Sequence, residues 1–94
     1  MEDAIIEIID GVKRDHIFDA HYVIEKLIRE HSDSYFEFIR SNQGNMEFVH
    51  SRISRLIGTF AEDGNNQLIR SLNQRSYSHN IRQNASSCKA WIKI

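Results

Sequence analysis

Four side chains capable of proton or metal chemistry fall within one short stretch: Asp15, His16, Asp19 and His21. Carboxylates and imidazoles serve as general acids and bases, or as ligands to zinc. Their spacing argues against both uses here. An extended backbone sends neighbouring side chains to opposite faces, and Asp19 stands where a helix N-cap is needed. No strong zinc pattern is matched. The single cysteine, Cys88, has no His or Cys near it in the chain at ligand spacing. It lies on the apolar face of an alternating stretch and reads as a buried thiol. The sequence also lacks a glycine-rich phosphate loop and a nucleophile elbow. No enzymatic activity, metal or cofactor is expected.

The second kind of chemistry is cationic. Over residues 46–62, Met46, Val49, Ile53, Leu56, Ile57 and Phe60 recur at helical spacing and fall within one stripe about 100° wide. Phe48, Arg52, Arg55 and Thr59 form a second row on one flank of that stripe. Arginine grips phosphate or pairs bidentately with guanine, and a good pairing discriminates by roughly 1–3 kcal/mol. Arg52 and Arg55 are therefore the first candidates for nucleic-acid contact, whereas Phe48 is expected in covered core. Near the end, Lys89, Trp91 and Lys93 share one face of an alternating segment. Bases stack on such an aromatic in single-strand binders. The preferred reading is that Trp91 packs under the helices while the lysines shield the strand edge and add to a basic face.

Charge is distributed in the same sense. Residues 1–50 hold five Lys/Arg and eleven Asp/Glu, a net of −6, while residues 51–94 hold seven and two, a net of +5. Such asymmetry points to a polyanion-binding face, unless the two halves pack together and neutralise each other. With 94 residues, 40% of them hydrophobic, the chain makes one domain with one modest core and no deep substrate cavity. One cysteine excludes an internal disulfide framework. No leader-like segment or membrane span is recognisable, so a soluble, cytoplasmic protein is expected and the Asn84-Ala85-Ser86 sequon reads as chance.

Several elements must position these groups. Ile5, Ile8, Ile9 and Val12 predict a helix over 2–12, stopped near Gly11. A short extended segment at 16–18 leads to Asp19, the N-cap of a helix with Val23, Ile24, Leu27, Ile28 and His31 on one stripe. Ser32-Asp33 interrupts it, and Ser34 with Glu37 has capping-box spacing for a fresh start. Tyr35, Phe36, Phe38 and Ile39 then read as an aromatic core cluster. The polar run 41–45 is a turn, with Asn45 available to cap the helix at 46–62, and Asp63-Gly64-Asn65-Asn66 is a second turn. Residues 67–74 fit a helical turn or a strand, 73–87 have loop composition, and 88–94 alternate as a half-buried strand.

This order resembles that of winged helix-turn-helix DNA-binding domains, and the turn at 41–45, the helix at 46–62 and the tail at 67–94 carry the likeness. The resemblance implies a mainly α (α+β), winged-helix-like fold over residues 1–94, with three or four helices and a C-terminal β-hairpin or strand. It implies that helix 46–62 enters the major groove while the hairpin, or wing, touches the backbone or minor groove. Ser51, Arg52, Arg55 and Thr59 then face bases or phosphates. Arg75, His79 and Arg82 lie on the wing, which is longer than usual, and Lys89 and Lys93 extend the basic face. The expected partner is double-stranded DNA, bound by a homodimer on two half-sites, in transcriptional regulation. The rival expectation is a protein-interaction module, or a small inhibitor or adaptor of a larger nucleic-acid machine. Its acidic first half would meet a basic groove, with Tyr35, Phe36 and Phe48 as anchors. A small hydrolase built on the 15–21 cluster ranks third.

Overall fold

Each N-terminal segment has one apolar stripe to hide. The computed structural model of the chain, which describes residues 1–62, 67–80 and 85–94, shows how those stripes meet. Helix α1 (Glu2–Asp10) buries Ala4, Ile5, Ile8 and Ile9, and it stops at Gly11, whose N–H closes on the carbonyls of Glu7 and Ile8. Strand β1 (Ile17–Asp19) ends at the expected cap: Asp19 Oδ1 accepts the Tyr22 N–H at 2.8 Å and opens α2 (Ala20–Glu30). Helix α2 turns Ala20, Val23, Ile24 and Leu27 inward and keeps the Glu25–Arg29 ion pair, 2.6 Å apart, on its exposed side.

The chain kinks at His31 and continues as α3 (Ser32–Ser41), three residues earlier than the Ser34–Glu37 spacing suggests. Ser34 therefore already lies within the helix, and the expected capping box is not formed; α3 starts with no side-chain cap at all. The aromatic cluster also divides. Tyr35 is buried, Phe38 and Ile39 are half-buried, and Phe36 is 57% exposed. Consecutive residues point about 100° apart on a helix, and α3 turns Tyr35 inward, which leaves Phe36 at the outer margin of its buried face. After α3 the backbone reverses through two left-handed residues, Gln43 (φ 62°) and Gly44 (φ 75°). Asn45 then accepts the Phe48 N–H at 3.0 Å and starts α4 (Met46–Thr59) as anticipated. Val49, Ile53 and Ile57 are buried, with Met46, Leu56 and Phe60 half-buried beside them. Phe48, expected in the core, is 48% exposed because it lies off that stripe.

The ambiguous segment is a strand, β2 (Ile69–Ser71). The polar stretch expected as a loop instead forms two strands, β3 (Ser76–His79) and β4 (Ala85–Cys88), and β5 (Ala90–Lys93) follows after one residue. A three-stranded antiparallel sheet has the order β1–β5–β2, and β3–β4 is a separate two-stranded ribbon. The turn signal at 63–66 and the segment 81–84, which contains Arg82, lie outside the described residues. Ser71 pairs with Trp91 and Ser76 with Cys88, so the outgoing arm has two more residues than the returning arm between those pairs. Such an offset bends a hairpin and re-aims its outer half.

Trp91 sits on the central strand with no exposed surface, its ring 5.8 Å from that of Phe18. Among the described residues its Nε1 is the one buried side-chain polar atom without a hydrogen-bond partner. That omission costs about 1–3 kcal/mol. Burying an aromatic ring of this size contributes about 4–6 kcal/mol, so the ring stays inside. Among the described residues no helix is long and apolar enough to cross a membrane.

Candidate nucleic-acid interface

Helix α4 and the root of the β3–β4 ribbon flank a cleft of about 470 Å³, floored by the first turn of α2. One wall is a row along α4: Glu47, His50, Ser51, Ser54 and Arg55, spaced three and four residues apart. The other wall holds Arg75, Asn80, Ser87, Cys88 and Lys89, and Ala20, His21 and Ile24 form the floor. Arg55, Arg75 and Lys89 outnumber the single carboxylate, Glu47, among these lining residues. The Arg75 guanidinium is oriented by the ribbon itself, donating to Ser87 Oγ at 3.2 Å and to the Ser87 carbonyl at 3.4 Å. A concave surface with three cations and several hydroxyls is suited to an anionic ligand.

The fold thus gathers Ser51, Arg55, Arg75 and Lys89 around one cleft. The other predicted residues are elsewhere. Arg52, one turn before Arg55, does not line the cleft: its side chain turns toward α3, donates to Asn42 Oδ1 at 2.9 Å, and stacks over Phe38 and Phe48 at 5.7 and 5.8 Å. Thr59 is exposed at the end of α4, its hydroxyl donated to the Leu56 carbonyl at 2.6 Å. His79 is exposed on β3. Lys93 points the other way, toward the end of α1, where its Nζ donates to the Ile9 carbonyl at 2.9 Å and lies 3.8 Å from Asp10. Arg82 lies outside the described residues. Reasoning from the chain did not select Glu47, His50, Ser54, Asn80 or Ser87. The first three were within reach, because they share helical spacing with Ser51 and Arg55.

Beneath the cleft, a polar network joins the ribbon to the start of α2. Asp19 Oδ2 accepts from Ser76 Oγ at 2.7 Å and from Ser78 Oγ at 2.8 Å. His21 Nδ1 lies 2.7 Å from Ser78 Oγ, and His21 Nε2 lies 3.4 Å from Ser86 Oγ. The single hydroxyl proton of Ser78 goes to Asp19, which as a carboxylate only accepts. Ser78 must therefore accept from His21, which places a ring proton on Nδ1; in the neutral ring Nε2 is then the atom with the lone pair, facing Ser86 Oγ. Burial raises the Asp19 pKa, but the Ser76, Tyr22 N–H and Ser78 hydrogen bonds, with His21 nearby, outweigh it and hold the carboxyl below its ordinary value. The fold also brings in Cys88: a ligand atom from each of Asp19, His21 and Cys88 falls within 4.8 Å of the others. Sequence proximity concealed this trio. Asp15 and His16, their neighbours in the chain, remain exposed before β1.

Compared with protein-family models, curated proteins and solved structures, the chain matches none of them.

Proposed function

We propose that this chain is a winged-helix-like DNA-binding protein that docks α4 in the major groove and lays the ribbon and its root along the phosphates. The observation that carries the proposal is the convergence of Ser51 and Arg55 from α4 with Arg75 and Lys89 from the ribbon root on one cleft. The exposed side of α4, preceded by α3 and a short turn, has the helix–turn–helix order, and a major groove admits one helix. Binding as a homodimer on paired half-sites, in cytoplasmic transcriptional regulation, goes with this reading.

A salt series on duplex DNA tests it. Log affinity should fall with log salt, with a slope of about −0.9 per phosphate neutralised. Arg55→Ala combined with Arg75→Ala should flatten that slope by about 2. A folded protein that binds no duplex at low salt overturns the reading.

A second reading, docking to a protein partner, is favoured by one observation: Phe36 and Phe48 are exposed on the neighbouring helices α3 and α4, and Arg52 stacks over Phe48. Aromatic and arginine side chains of this kind anchor protein interfaces. If this reading holds, Phe36→Ala and Phe48→Ala abolish partner capture, whereas Arg55→Ala leaves it intact.

A further inference from the structure

We propose that Asp19, His21 and Cys88 form a site for a divalent ion of the zinc class, which pins the β3–β4 ribbon to the start of α2. The three groups come from the end of β1, the first turn of α2 and the end of β4, and their ligand atoms lie within 4.8 Å of one another. A thiolate, an imidazole and a carboxylate are the donor types zinc takes, at bond lengths of about 2.0–2.3 Å. Tetrahedral geometry then sets ligand–ligand separations of about 3.3–3.8 Å. The trio must close by about 1–1.5 Å at its widest, within reach of side-chain rotation.

The network around the trio is prepared for this role. Ser78 holds the His21 Nδ1–H, so Nε2 is the ring atom that offers a lone pair, and a metal there would displace Ser86 Oγ, 3.4 Å away. A hydrogen bond to the second ring nitrogen is the arrangement that orients metal-bound histidines. Asp19 accepts three hydrogen bonds, from the Tyr22 N–H and the Ser76 and Ser78 hydroxyls. A carboxylate has about four acceptor positions, so one is left for an ion. His21 and Cys88 both line the cleft, which supplies the entry path and room for water as a fourth ligand. Binding replaces the thiol S–H bond with a metal–sulfur bond and releases the proton to solvent. The thiolate disfavours magnesium and calcium relative to zinc-class ions.

The test is a titration of the full, folded chain with cobalt(II), followed by displacement with zinc(II). The expected result is a near-ultraviolet sulfur-to-cobalt absorption that saturates at one equivalent and disappears when zinc is added. Cys88→Ser should abolish the band, and His21→Ala should weaken binding at least tenfold. Ser78→Ala, which touches no metal, should weaken it by roughly ten- to a hundredfold. Absence of the band in the unaltered chain overturns the proposal, and so does an affinity unchanged in His21→Ala. Neither readout involves DNA, so this site and the proposed function can fail separately.

Discussion

Asp19 connects more of the molecule than its position in the sequence suggests. One oxygen caps α2, and the other holds two serines 57 and 59 residues away on β3. Losing a cap costs about 1 kcal/mol. A hydrogen bond to a charged group contributes about 1.5–3 kcal/mol. Allowing for non-additivity, Asp19→Ala should destabilise the fold by roughly 2–4 kcal/mol in urea denaturation at neutral pH. The folded carboxyl has a lowered pKa, so its contribution is complete above the unfolded value of about 3.9 and is lost as pH falls through the folded one. The gap between the parent and Asp19→Ala should therefore narrow as the measurement is repeated at pH values falling below the unfolded value. The capping role was legible in the sequence, since an acid directly precedes an apolar-periodic run. The serine bonds were not, because nothing local ties Asp19 to Ser76 or Ser78.

The same contrast separates the elements. Helices α1, α2 and α4 announce themselves through apolar spacing, and the turn before α4 through Gly44 and Asn45. Gly44 has φ +75°, and a methyl group added to its Cα would meet nothing within 4 Å. Gly44→Ala should therefore cost about 1 kcal/mol from backbone strain alone, with no clash, which urea denaturation and an unchanged helical circular dichroism signal would verify. The ribbon hid its pattern. Its inward positions, Ser76 and Ser78, are polar because they face Asp19 and His21, so β3 alternates without an apolar face. A search for alternating hydrophobicity finds only β5, and there both faces are covered: Ala90 is buried and so is Trp91 on the opposite face, while Ile92 is half-buried and Ile94 exposed. The candidate site was half visible for the same reason. Arg55 and Ser51 follow from helical spacing, but their meeting with Arg75 and Lys89 depends on how a bent hairpin folds back.

At the scale of the molecule, few ion pairs among the described residues bridge the acidic and basic halves: Lys93 approaches Asp10, while Arg55, Arg75 and Lys89 surround the cleft. The Cα radius of gyration, 12.7 Å, is close to the roughly 12 Å expected for a compact chain of this length. Stability within that volume is uneven. The central strand β5 pairs on both sides, whereas β3 and β4 pair only with each other. Hydrogen exchange should therefore show ribbon amides opening at lower free energy than those of β5, and acidification through the Asp19 titration should widen that difference. Equal protection across both would show that the ribbon and the core unfold as one unit. Among the described residues, Cys88 is the only buried one in either ribbon strand, and the two-residue offset in pairing separates that ribbon from the sheet below. The ribbon strands are consequently held to the helical core through Cys88 and the polar bonds to Asp19 and His21, so new recognition chemistry placed at the exposed positions Tyr77 and His79 leaves the helical core with the same packing problem and the same solution.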